Sequence, residues 1–298
     1  MTGSVTLPDG RVLAYEEYGV PTGFPVLSFH GGLSSRLDAA PAHEAAVASG
    51  VRLVSADRPG IGLSTYQPGR RLTDWPADVA HLTEELGIER FAVMGWSTGG
   101  AYAAVCAAWM GGAVTAAALL SSAVPLDQYG TTRGLTLEDR ALLFLTRRTP
   151  WLAGAVMKVS IVNASNARLL RAVMRSFPPA DRTVLTEWGP PDLALAFVRE
   201  ALRQGTEGCV HDYRIFGDPW GFSLEEIEVP VQIWEGGDDR TGPPGYRTFL
   251  KRHIPQATVT VVPGEGHLSL LAHRAPSIFA ALLGGEPDAE SSARSNVG

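Results

Sequence analysis

The feature that most constrains this chain is a rhythm of short apolar runs separated by helical patterns. Runs at residues 25–29, 51–56, 90–94 and 114–120 alternate with helical stretches at 39–49, 75–86 and 98–110. Such alternation argues for a parallel sheet covered by helices on both faces. Upstream, residues 5–7 and 11–18 flank Pro8-Asp9-Gly10, read as a hairpin in which Pro presets φ and Gly accepts positive φ. Asp74 is placed to cap the helix at 75–86.

The rhythm breaks after Ser121. Residues 124–228 carry helical patterns (137–146, 167–176 and 192–204) punctuated by Pro178-Pro179 and Pro190-Pro191. It then resumes with strands at 229–234 and 258–262 and helices at 244–253 and 269–283. The expected organisation is a core built from residues 1–123 and 229–285, a helical insertion at 124–228, and a disordered polar tail at 286–298. A helical block set into a parallel-sheet protein is expected to be a lid; a layer that only packs is the alternative. A length of 298 residues suits one core carrying an insertion.

The run at 90–94 leads directly into Gly95-Trp96-Ser97-Thr98-Gly99-Gly100, and a helix follows. A serine on a tight strand-to-helix turn stands exposed at the carboxyl end of the sheet, where open α/β sheets place their ligands. The glycines fit because a Cβ at 95 or 99 would crowd the neighbouring strand and helix. Ser97 is the candidate nucleophile.

A serine hydroxyl needs an adjacent base at neutral pH. His267, in Pro263-Gly264-Glu265-Gly266-His267 just past a strand, is the candidate; His211, inside the inserted block, is its rival. The strand at 229–234 ends in Glu235-Gly236-Gly237-Asp238-Asp239, so Asp239 or Asp238 can hold the distal nitrogen of the histidine. Asp127 is a third candidate, past the strand at 114–120. The chain order is serine, aspartate, histidine.

Acyl chemistry also needs donors for a developing oxyanion. The run at 25–29 ends in His30-Gly31-Gly32-Leu33. The candidate donors are the backbone N–H groups of Gly32, with Leu33 second, and of Thr98. His30 is expected to organise this loop. Leu33 and Trp96 are the candidate substrate-binding residues, and aromatic residues of the insertion between Trp151 and Phe222 are candidates to line an apolar pocket.

Composition narrows the partners. Net charge is −6 and no basic run stands out, against a nucleic-acid partner. The longest apolar stretch, 113–120, is too short for a membrane helix. Cys106 and Cys209 lie outside any ligand spacing, so no metal is expected. With no leader pattern at residues 1–10, the expected location is the cytoplasm. A small-molecule substrate is expected, and homodimerisation stays open.

Taken in order, His30-Gly31-Gly32, Asp57-Arg58-Pro59-Gly60-Ile61-Gly62-Leu63-Ser64, the Ser97 elbow, Gly236-Gly237-Asp238-Asp239 with Pro243, and Gly266-His267 resemble the α/β-hydrolase superfamily. The resemblance implies the α/β-hydrolase fold: a mostly parallel eight-stranded sheet with helices on both faces and an inserted helical lid. It implies an acyl-enzyme mechanism without cofactor, and it prefers Asp239 to Asp238. The elbow resembles that of cofactor-free haloperoxidases and related esterases, which usually carry proline where this chain has Leu33. Hydrolysis of an ester-type bond in a small apolar substrate is the expectation. The alternatives are amide cleavage of the proline-iminopeptidase type, with Glu187, Glu200 or Glu207 facing the amine, and a non-catalytic ligand-binding protein of the same fold.

Overall fold

The computed structural model describes residues 1–128, 130–164, 175–187, 196–243 and 245–285. Eight strands form one sheet: β1 (Thr2–Thr6), β2 (Val12–Gly19), β3 (Phe24–Phe29), β4 (Val51–Ala56), β5 (Phe91–Trp96), β6 (Val114–Leu120), β7 (Val231–Gly236) and β8 (Ala257–Val262). Their spatial order is β1-β2-β4-β3-β5-β6-β7-β8. β1 and β2 pair antiparallel, as does β2 with β4; every pairing from β4 through β8 is parallel.

The central strands are apolar along their length because both faces are covered. In β5, Phe91 and Val93 enter one core while Ala92 and Met94 enter the other. α2 (Trp75–Glu85), α3 (Gly99–Trp109) and α9 (Gly245–His253) feed the first core; α1 (His43–Ala48) and α10 (Ser269–Leu282) feed the second. A register irregularity between Phe91 and Val93 in the β5–β6 pairing lets Val114 and Ala117 share a face despite their odd spacing.

Between β6 and β7 lie α4 (Leu137–Arg148), α5 (Pro150–Ala164), α6 (Pro179–Glu187), α7 (Ala196–Ala201) and α8 (Glu207–Gly217). The sequence pattern did not mark α5, α6 or α8 as separate elements. The helix expected at 167–176 lies mostly outside the described residues, as do 192–195 of the helix expected at 192–204, Trp188, and the tail from 286. Asp74 does not cap α2. Its carboxylate turns back to accept from the Arg71 N–H at 2.8 Å, closing a 3₁₀ turn (Leu72–Asp74) that precedes the helix. The helical stretch at 39–49 is likewise split, into a 3₁₀ segment (Arg36–Ala42) and α1.

The insert is fastened to the sheet by buried charge. Asp212 of α8 accepts from Arg58 Nε at 2.7 Å, from the Tyr102 hydroxyl at 3.0 Å, and from Arg70. Burial pushes the Asp212 carboxyl up, but the two guanidinium groups outweigh it and hold it far below the usual carboxylate range. Arg58 also packs over the Tyr102 ring, 4.6 Å from its centroid. An Asp212→Ala change strips both arginines of their counter-charge. We expect a loss of about 3–5 kcal/mol in urea unfolding; a loss below 1 kcal/mol would show the network to be dispensable.

Candidate active site

The turn from β5 into α3 is held open by what it lacks. A Cβ on Gly95 would lie 2.2 Å from the Gly99 carbonyl oxygen, and one on Gly99 would lie 2.0 Å from the Phe29 carbonyl oxygen of β3. α3 therefore packs directly on the backbone of β3 and β5. Between the two glycines Ser97 sits at φ 57°, a left-handed conformation that is uncommon for serine. Its backbone is tied on both sides: the N–H donates to Leu120 O at 2.8 Å, and the carbonyl accepts from Gly100 N at 3.1 Å and Ala123 N at 2.9 Å. These bonds maintain the strained backbone at the carboxyl edge of the sheet.

β7 and β8 run parallel with Gly236 opposite Val262, so the loops after them emerge side by side. They brace each other: Gly237 N donates to Val262 O at 2.8 Å and Asp238 N to Glu265 O at 2.9 Å. Across this seam His267 Nδ1 meets Asp239 Oδ2 at 2.8 Å. Burial pushes the Asp239 carboxyl up, but the facing imidazole outweighs it and the carboxyl is held down at about 2. Trp96, next to Ser97, donates its indole N–H to the His267 carbonyl at 2.9 Å, and the two rings lie 5.1 Å apart. The elbow and the histidine loop are thereby joined through Trp96.

The loop after β3 is clamped from beneath. Arg58 donates to the carbonyls of His30 and Gly31, the latter at 2.9 Å. His30 is fully buried; its Nε2 accepts from Arg58 N at 3.2 Å and its Nδ1 donates to Gly31 O at 2.9 Å. Burial and the adjacent Arg58 charge drive its pKa well below the usual imidazole value, so it stays neutral. His30 thus organises the loop. The Gly31 N–H donates to Asp38 at 3.0 Å, while those of Gly32 and Thr98 donate to nothing among the described residues. Leu33 adopts φ 49° and packs on an apolar cluster formed by Ile61, from the loop after β4, with residues of the insert that include Met157 and Tyr213. The Tyr213 hydroxyl lies 3.2 Å from where a Gly32 Cβ would stand.

The competing candidates lie elsewhere. Asp127 and Asp238 are exposed. His211 bonds the Tyr66 hydroxyl at 3.1 Å and Arg70 O at 2.9 Å. Glu200 is engaged by Arg36 at 2.8 Å, Glu187 is exposed, and Glu207 lines a separate cavity. That cavity, about 580 Å³ between the Arg70 loop and the insert, includes none of Ser97, Asp239 or His267. Of the insert's aromatics, Trp151 is exposed, and Trp220 is buried and stacked on Phe222. Among the described residues no cluster of three metal-ligating side chains occurs, and no helix is long and apolar enough to cross a membrane.

Buried carboxylates that escaped the sequence reading include Asp38, Asp181 and Asp212. Asp38 accepts from the Gly31 N–H and from the Ser34 hydroxyl at 2.8 Å, and burial raises its pKa to about 7. A carboxyl raised on folding binds its proton more tightly in the native state. Its stabilising contribution is full below about pH 4 and is lost as pH rises through 7. We expect the Tm of the wild type to fall relative to that of Asp38→Asn across that window and the offset to level off above it. A difference that does not vary with pH would mean that Asp38 does not titrate there.

The sequence profile of the alpha/beta hydrolase family matches residues 23–282. Over 125 residues the chain is 37% identical to a non-heme chloroperoxidase of Streptomyces lividans, a stretch spanning 41% of this chain and 45% of that one. It is 36% identical over 125 residues to a bifunctional esterase/perhydrolase of Acinetobacter calcoaceticus, with the same coverage. Both matches therefore span under half of the relative. A crystal structure of a bromoperoxidase from Bacillus anthracis superposes with a TM-score of 0.71 at 21% identity, covering 95% of this chain and 98% of that one. That likeness speaks to the fold, an eight-stranded, mostly parallel sheet flanked by helices. With the profile covering most of its length, the chain belongs to the alpha/beta hydrolase family.

Proposed function

We propose that this protein is a serine hydrolase that cleaves an ester-type bond of a small apolar substrate through an acyl-enzyme. The observation that carries the reading is the 2.8 Å contact between His267 Nδ1 and Asp239, at the sheet edge where Ser97 sits in a strained elbow. A carboxylate on Nδ1 fixes the tautomer with the proton there. The lone pair is then on Nε2, and the carboxylate stabilises the imidazolium that forms when Nε2 takes the serine proton.

In this mechanism Ser97 Oγ attacks the carbonyl carbon while His267 accepts its proton. The oxyanion is held by the N–H groups of Gly32 and Thr98, which have no acceptor among the described residues. His267 returns the proton to the leaving alkoxide. Water then attacks the acyl-enzyme with His267 again as base, releasing the acid and restoring the serine. Leu33 and Trp96 border the reacting centre, and the helical insert acts as its lid. The matches to an esterase/perhydrolase and a chloroperoxidase agree with acyl transfer at such a site.

A fluorophosphonate probe should label the wild type and leave Ser97→Ala unlabelled. Short p-nitrophenyl esters should be hydrolysed, with kcat falling about 10⁶-fold in Ser97→Ala and about 10⁴-fold in Asp239→Asn. Ester turnover by Ser97→Ala at the wild-type rate sinks the reading.

A further inference from the structure

One side chain of the helical insert, Asp181, bonds the backbone of the histidine loop. Asp181, in the first turn of α6, is fully buried. Its Oδ2 accepts from the backbone N–H of His267 at 3.0 Å, and its Oδ1 from those of Leu268 at 2.9 Å and Ser269 at 2.8 Å. These are the N–H groups at the start of α10, which have no partner within their own helix. A carboxylate suits them twice over, as an acceptor for each and as a negative charge at the positive end of the helix. The neighbouring Gly266 is shaped to the same contact: a Cβ there would lie 2.4 Å from Asp181 Oδ2.

The consequence for His267 follows atom by atom. Asp181 holds its backbone N–H, the Trp96 indole its carbonyl, and Asp239 its Nδ1. Among the described residues only Nε2 lacks a partner, and Nε2 is the atom that the proposed mechanism uses. We propose that Asp181 is a positioning residue: the carboxylate of the insert sets the height and rotation of the histidine loop, and so the reach of Nε2 to Ser97. This inference rests on the hydrolase reading above. It adds that the insert is part of what aligns the base, besides any role as a cover.

Asp181→Asn is isosteric and tests the contact. Its single carbonyl oxygen can serve Leu268 and Ser269, but its amide then faces the His267 N–H, donor against donor. With p-nitrophenyl esters we expect kcat to fall about 10²-fold, the loss typical of a misplacement near 1 Å, with KM within twofold. The downfield proton resonance of the His267–Asp239 hydrogen bond should shift or broaden. Arg182→Ala, an exposed neighbour, serves as control. Circular dichroism establishes that each variant is folded at the assay temperature; should Asp181→Asn not fold, Gly266→Ala displaces the same carboxylate from the opposite side and should give the same kcat loss. A folded variant that keeps wild-type kcat and the wild-type resonance overturns the proposal, however much its Tm drops. The Ser97→Ala control separates the two claims: if it is inactive while the contact variants are fully active, only the role of Asp181 falls; if it is active, the hydrolase reading itself falls.

Discussion

Close approach of α3 to the backbone of β3 is the constraint on which the remaining geometry depends. With no side chain at Gly99, the first turn of the helix rests on the Phe29 carbonyl, and the strand-to-helix turn closes tightly enough to force Ser97 to positive φ. β3 also carries the His30-Gly31-Gly32 loop. The contact that seats the proposed nucleophile therefore also sets its height against the proposed oxyanion donors. One packing distance governs both, and neither relies on side-chain adaptation.

A second constraint acts across β7 and β8. Parallel pairing in register brings their carboxyl ends to one level, and two backbone bonds donated by the loop after β7 to β8 and its following loop lock them together. The approach of Asp239 to His267 is then largely a property of the sheet. What sheet geometry does not set is the rotation of the histidine loop about its own axis. That freedom is removed by two side chains, the Trp96 indole from the end of β5 and the Asp181 carboxylate from the insert.

The parts that were legible in the sequence are those whose signal is local. Alternating strands and helices, the Gly-x-Ser-x-Gly turn and the Gly-His pair each declare themselves within a few residues; a place just past a strand marked His267 as a candidate, and only the family resemblance preferred Asp239 to Asp238. Asp38, Asp181 and Asp212 left no such trace. Asp181 accepts from backbone N–H groups 86 to 88 residues away, and a backbone donor carries no residue type by which to recognise it. Arg58 stood inside a recognised motif, yet its reach to the His30 and Gly31 carbonyls needed coordinates. Asp74 failed as a helix cap for a local reason: a 3₁₀ turn comes first, and the carboxylate closes that turn instead.

The insert meets the body of the protein through acidic side chains at both loops that flank Ser97. Asp212 grips the arginine beneath the His30–Gly31 peptide, and Asp181 grips the amides of the histidine loop. Replacing this block with the cap of a relative would thus be more than an exchange of pocket walls. A chimera whose donor segment brings no carboxylate to either place would inherit two buried guanidinium groups and three orphaned amides. Grafts meant to retune selectivity in this scaffold must transplant those two anchors before any residue chosen for the substrate.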